Sequence, residues 1–185
     1  MQTVQSNTEQ QYDRVVDQCR DIFFKKTRDY GTAWRVLRTI SIADQLYIKA
    51  YRIRTIQETG HQKIGDSIAS EFVGIVNYAV IGLIQLELPV DAPEELTPED
   101  ALHFYNKQIA TARSLMQAKN HDYGEAWRQL SQESFVDLIL MKLQRMRQIV
   151  ANKGATLISE GLDANYLDMI NYAVFAQILQ SETHN

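Results

Sequence analysis

The sequence predicts an all-α fold: two tandem three-helix repeats packed as a pseudo-twofold helical bundle. Three observations carry this. The chain repeats itself at an offset of 93 residues, from Asp29 to Asp122. Its apolar residues recur at helical spacing, with no alternating strand pattern. A proline-bearing stretch with Pro89, Pro93 and Pro98 separates the copies. The expected boundaries are 8–88 for the first repeat, 89–97 for the linker and 98–182 for the second repeat.

The repeat is dense. Asp29, Tyr30, Gly31, Ala33, Trp34, Arg35 and Leu37 meet Asp122, Tyr123, Gly124, Ala126, Trp127, Arg128 and Leu130. Ser41, Asp44, Lys49, Arg52, Arg54 and Ile56 then meet Ser134, Asp137, Lys142, Arg145, Arg147 and Ile149. Upstream, Tyr12, Arg20 and Lys26 match Tyr105, Arg113 and Lys119. After a one-residue insertion, Asn77-Tyr78-Ala79-Val80 matches Asn171-Tyr172-Ala173-Val174. A duplicated module packs on its twin as a covalent homodimer does, through an isologous interface.

The elements follow in order. Tyr12, Val15, Val16, Cys19, Ile22 and Phe23 mark the first helix, which stops near Gly31. Ser41 with Asp44, and Ser134 with Asp137, resemble capping boxes that start the second helix of each copy. Those helices run to about Thr59 before Gly60 and to about Asn152 before Gly154. The third helix carries Phe72, Ile75, Val76, Ala79, Val80, Leu83 and Ile84, matched by Tyr166, Met169, Ile170, Ala173, Val174 and Ile178. It is apolar beyond one face, so it belongs in the middle of the bundle. Thr97 and Pro98 suit the cap and first turn of the helix after the linker.

Composition narrows the function classes. The chain has 185 residues, 45% of them hydrophobic, and 19 basic against 23 acidic residues give a net charge of −4. It has no basic run of the kind that grips a duplex, so duplex nucleic acid is not an expected partner. Its one cysteine, Cys19, can form neither an internal disulfide nor a zinc site, which fits a reducing compartment. Met1 to Gln11 is polar and lacks a secretory pattern. The stretch from Phe72 to Leu88 is interrupted by Asn77, Gln85 and Glu87, so no membrane span is expected. These readings place the protein in the cytoplasm.

The chain has no phosphate-cradling glycine loop, paired cysteines or nucleophile elbow. What remains is a set of polar residues kept in both copies. Asp29 to Gly31 and Asp122 to Gly124 suit a helix-ending turn, or else an aspartate aimed into a cleft. Trp34 and Trp127 suit either the core or a stacking surface for a base. Asp44 and Asp137 suit helix caps. Lys49 with Arg52, and Lys142 with Arg145, share a helical face and can hold phosphate or form a solvated face. Glu160, Asp163 and Asp168, near Asn171, provide oxygen ligands of the kind magnesium takes; the alternative is an acidic helix start favoured by the dipole. Copy one has Gly74 where copy two has Asp168, which points to copy two as the metal-dependent one. Asn77 and Asn171 lie in apolar helices and need hydrogen-bond partners.

The segment with Lys119, Asp122-Tyr123-Gly124 and Trp127, the pair Lys142 and Arg145, and the segment with Glu160, Asp168 and Asn171-Tyr172-Ala173 resemble the nucleotide modification associated domain of type 1. That family is in turn similar to the all-α, MazG-like nucleoside triphosphate pyrophosphohydrolases, although the close-spaced glutamate pair of those enzymes is replaced here by Lys142, Arg145 and Arg147. The resemblance implies a nucleotide or phosphorylated small molecule as partner and Mg as cofactor, with self-association of the chain left open. Under it, Glu160, Asp163 and Asp168 would hold the metal. Lys142, Arg145, Asp122 and Asn171 would contact the ligand, with Tyr123 or Trp127 on the base. Two functions are then expected: a Mg-dependent pyrophosphohydrolase-like enzyme, or a non-catalytic module that binds a nucleotide or a protein.

Overall fold

A computed structural model describes residues 7–157 and 160–183. The first six residues of the polar amino-terminal stretch lie outside it. The described residues form six α-helices and no strand: α1 (Asn7–Tyr30), α2 (Thr39–Thr59), α3 (Ile68–Glu87), α4 (Pro98–Tyr123), α5 (Gln132–Ala151) and α6 (Leu162–Thr183). A short 3-10 turn follows the first helix of each copy, at Ala33–Val36 and Ala126–Gln129, and carries the tryptophan.

The expected helix ends hold where backbone chemistry dictates them. Gly31 takes φ +68 and Gly60 takes φ +69, the left-handed conformation that closes a helix at little cost to glycine. Thr97 Oγ1 accepts the backbone N–H of Asp100 at 3.1 Å, with Pro98 in the first turn of α4. The capping boxes at Ser41 and Ser134 are not formed. Both second helices start two residues earlier, and Ser131 caps α5 by accepting from the N–H of Ser134 at 3.2 Å. Asp44 and Asp137 are thereby released from capping.

One hydrophobic core joins both copies. The third helices α3 and α6 lie against each other in the middle, flanked by α2 on α3 and α5 on α6, while α2 also meets α5. Gly82 lets α6 come close: a methyl group there would sit 2.3 Å from the ring of Tyr166. Contrary to the expectation above, α3 is long and apolar enough to cross a membrane by length and composition alone, but most of it is buried in the bundle. Its polar interruptions are used internally. Asn77 Nδ2 donates to the carbonyl of Cys19 at 3.0 Å, and Gln85 Nε2 donates to those of Arg35 and Leu37 at 2.9 and 3.0 Å.

The two copies are tied by reciprocal contacts. Tyr12 Oη donates to Asn171 Oδ1 at 2.7 Å, and Asn171 Nδ2 donates to the carbonyl of Ala112 at 3.1 Å. The mirror set runs from Tyr105 Oη to Asn77 Oδ1 at 2.7 Å and on to Cys19. Arg113 reaches Asp13 at 2.8 Å, and its counterpart Arg20 reaches Asn106 at 2.6 Å. Arg147 pairs with Asp44 at 3.1 Å, and Arg54 approaches Asp137 at 3.8 Å. In each case residue i of one copy meets j of the other, and j meets i, as a two-fold axis requires. The linker docks on copy one. Thr32 Oγ1 donates to the carbonyl of Glu94 at 2.7 Å and accepts from the N–H of Leu96 at 3.0 Å.

Candidate functional site

Each copy brings its second and third helices, its tryptophan turn and the end of its first helix to one place, but the two places differ. Position 74 of α3 corresponds to position 168 of α6, and the difference between glycine and aspartate reorganises everything around it.

In copy two the place is closed by an ion cluster. Asp168 is buried, and its two oxygens accept from Lys119 Nζ and Lys142 Nζ, each at 2.7 Å. Burial by itself raises the Asp168 pKa. The hydrogen bonds and charges of Lys119 and Lys142 outweigh it and hold the carboxyl below the ordinary range. Lys142 is as buried as the aspartate. Trp127 stacks on Phe175 with ring centroids 4.1 Å apart, and the Arg128 guanidinium lies 4.4 Å from the ring centroid.

In copy one the place is open. A cleft of about 500 Å³ is lined by Phe23, Lys26, Tyr30, Trp34, Lys49, Asp66, Glu71, Gly74 and Tyr78, among others. The buried carboxylate of α3 sits one turn earlier than in copy two, at Glu71. Its Oε1 accepts from Arg52 Nη1 at 2.7 Å, while Lys49 Nζ lies 3.7 Å from its Oε2. Arg52 also donates to the carbonyls of Ile64 and Asp66, which fastens the loop before α3 over this corner. Lys49 is therefore loosely paired. Lys26, the counterpart of Lys119, is exposed on the cleft and makes no ion pair among the described residues. Trp34 is only half buried and lies 6.4 Å from Phe23 in a tilted arrangement, leaving its ring as part of the wall.

The residues expected to form a site in copy two are not gathered. Tyr123 is 76% exposed, and Asp122 is exposed beside His121 at 3.0 Å. Asn171 has both ends of its amide engaged with Tyr12 and Ala112. Arg145 is exposed and, with Glu160 and Asn165, lines a separate recess of about 860 Å³ that Lys119, Lys142 and Asp168 do not line. Asp163 lines a different surface recess with Lys107 and Glu87.

The metal expected from the resemblance needs Glu160, Asp163 and Asp168 to converge. They do not: among the described residues no three His, Cys, Asp or Glu side chains are grouped to hold an ion. Asp168 is already neutralised by two lysines, a poor setting for a cation. The donor set thus does not fit magnesium in copy two. Sequence reasoning treated the glycine at 74 as a loss. It lines the cleft instead, with the Lys49 side chain over it, and the signal was available as a departure between otherwise matching copies.

The fold and cleft define a duplicated helical bundle whose first copy holds an aromatic-walled cleft lined by two lysines and two carboxylates, Asp66 and Glu71. The chain belongs to the nucleotide modification associated domain 1 family, whose model matches residues 26–86 and again 119–179. Both matches begin at the cleft lysine, Lys26 or Lys119, so the tyrosines and arginines of α1 and α4 that tie the copies together lie before them. No curated protein and no solved structure matches the chain.

Proposed function

We propose that the protein binds a nucleotide, or a closely similar phosphorylated small molecule, in the cleft of copy one. The observation that carries this is a cavity of about 500 Å³ that combines a lysine making no ion pair among the described residues and a loosely paired one with a wall of aromatic rings. That size suits a small-molecule site. Lys26 and Lys49 supply point charges for phosphate oxygens. Trp34 and Tyr30 offer π faces for a base, while the Tyr78 ring has the Lys49 ammonium 5.6 Å from its centroid. The family's association with nucleotide modification supports the same ligand class.

The test is thermal denaturation against nucleosides and nucleotides, canonical and modified, with and without magnesium. Specific binding to the folded state raises Tm with ligand concentration. Lys26→Ala and Lys49→Ala should each weaken the shift, after correction for their effect on the unliganded protein. Release of pyrophosphate from a triphosphate in the same panel would add catalysis to binding. If no nucleotide shifts Tm at about 1 mM, near the upper end of ordinary substrate affinities, the nucleotide reading falls and a protein-interaction module replaces it.

A further inference from the structure

The duplication gives the molecule its own comparison structure: two matched lysines in each copy, one pair closed on an internal anion and the other not. In copy two, Lys119 and Lys142 grip the carboxylate of Asp168 at 2.7 Å each. In copy one, Lys26 and Lys49 stand at the matching positions, but α3 presents Gly74 there; its buried carboxylate, Glu71, sits one turn earlier, bonded to Arg52 at 2.7 Å and 3.7 Å from Lys49. The side chain of Lys49 lies over that glycine. A methyl group at Gly74 would come within 2.8 Å of its Cδ, 2.9 Å of its Cε and 3.1 Å of its Nζ. The cleft floor is therefore the flexible end of a lysine above bare backbone, and it opens on the cavity that Lys26 also lines.

We infer that the part of the cleft between the Lys26 and Lys49 ammonium groups, beside the Gly74 backbone that Lys49 covers, is an anion subsite taking one phosphate group of the ligand, and that Asp168 is a built-in anion filling the equivalent subsite of copy two. The chain then holds one ligand, not two. This rests on the copy-one cleft as the binding site but goes further, by fixing where the phosphate goes and why copy two takes none. The lysine arrangement supports it. Carboxylate and phosphate oxygens are both anionic acceptors for an ammonium donor at about 2.7–2.9 Å. Lys142 also demonstrates that such a lysine can accommodate an aspartate at this helix position.

Inorganic pyrophosphate is the probe, with a mononucleotide in parallel, read by calorimetry and by Tm on the full chain. Pyrophosphate should bind the unmodified protein at one site. Gly74→Asp gives copy one the internal anion of copy two, and should weaken pyrophosphate by about 10- to 100-fold, the equivalent of one hydrogen bond to a charged group. The variant should also melt higher than Gly74→Asn, which has the same shape without the charge. With copy one disabled by Lys26→Ala and Lys49→Ala, Asp168→Ala should restore pyrophosphate binding through Lys119 and Lys142. If that triple variant does not fold, Gly74→Asp decides the matter alone. Pyrophosphate affinity unchanged within about twofold in Gly74→Asp, well below the effect of one charged contact, overturns the subsite. Nucleotide binding that survives Gly74→Asp overturns it too, while leaving the cleft assignment intact. Pyrophosphate binding that Gly74→Asp abolishes, with no nucleotide bound, sustains the subsite and defeats the nucleotide assignment. Binding of neither overturns both.

Discussion

The contact that most directly tests how the two copies cohere is the pair of buried tyrosine–asparagine hydrogen bonds. Tyr12 and Tyr105 are fully buried, and each hydroxyl donates at 2.7 Å to an asparagine of the opposite copy. Tyr12→Phe keeps the ring and its packing, removes one hydroxyl, and leaves Asn171 Oδ1 buried without its donor. An orphaned buried acceptor costs about 1–3 kcal/mol, against about 1 kcal/mol for an ordinary hydrogen bond lost at the surface. For a chain of this size, about 2–4 °C of Tm accompanies each kcal/mol, so the variant should melt about 2–12 °C lower. Tyr105→Phe strands Asn77 in the same way, and the two costs should agree within about 0.5 kcal/mol, the usual scatter for independent sites. Asn171→Ala should cost more, because it strands the Tyr12 hydroxyl and also opens a void. The assay is urea denaturation followed by far-UV circular dichroism and by tryptophan fluorescence, with the midpoint falling and the m-value held. Since donor and acceptor belong to different copies, both probes should move together in one transition. A neutral Tyr12→Phe, or a two-step transition in which only one half shifts, would refute the reciprocal tie.

Two further outcomes follow from titratable groups. Burial, opposed only in part by the Gln177 side chain and Arg20, pushes the Cys19 thiol up to about 12. Native protein at pH 8 should therefore resist iodoacetamide until urea opens the core, and labelling at the rate of a free thiol in native buffer would contradict the packing. Asp168 has its pKa held below the ordinary aspartate value of about 3.9, so its contribution is complete above that pH and lost as pH falls through the folded value. The Tm gap between the unmodified chain and Asp168→Asn should be constant above about pH 5 and close below about pH 4. A gap that persists unchanged to pH 3 would mean that the ion cluster contributes through shape alone.

The fold was legible because helical spacing, glycine stops and a duplicated pattern act locally. The turns around the tryptophans were not, since four residues of 3-10 helix leave no periodicity to read. The early starts of α2 and α5 were missed because the capping serine of α5, Ser131, has Arg38, with no capping side chain, as its counterpart in copy one. Asp44 and Asp137 were then misread as caps, because their partners, Arg147 and Arg54, lie in the opposite copy. Among the site residues, the lysines were found and their partners were not: that Asp168 would be gripped by both Lys119 and Lys142 depends on how α4 and α5 converge on α6, a tertiary fact.

That difficulty has a physical origin in the duplication. Identity between copies reports two kinds of constraint that sequence cannot separate. Tyr12, Arg20, Asp44, Arg54 and Asn77 match their counterparts because each makes its contact across the pseudo-twofold interface, where a change on one side strands a group on the other. Among the described residues Lys26, Trp34, Lys49 and Arg52 make no such crossing, and the partners of Trp34, Lys49 and Arg52 lie within their own copy. Nothing in the symmetry ties position 74 to position 168, so one copy can carry a glycine and a cavity while the other carries an aspartate and a closed ion cluster. The departures between matched copies, more than the matches, locate the candidate site. In this molecule the departure that matters is a carboxylate moved by one helical turn, from Asp168 in α6 to Glu71 in α3, which leaves Lys26 without an ion pair among the described residues.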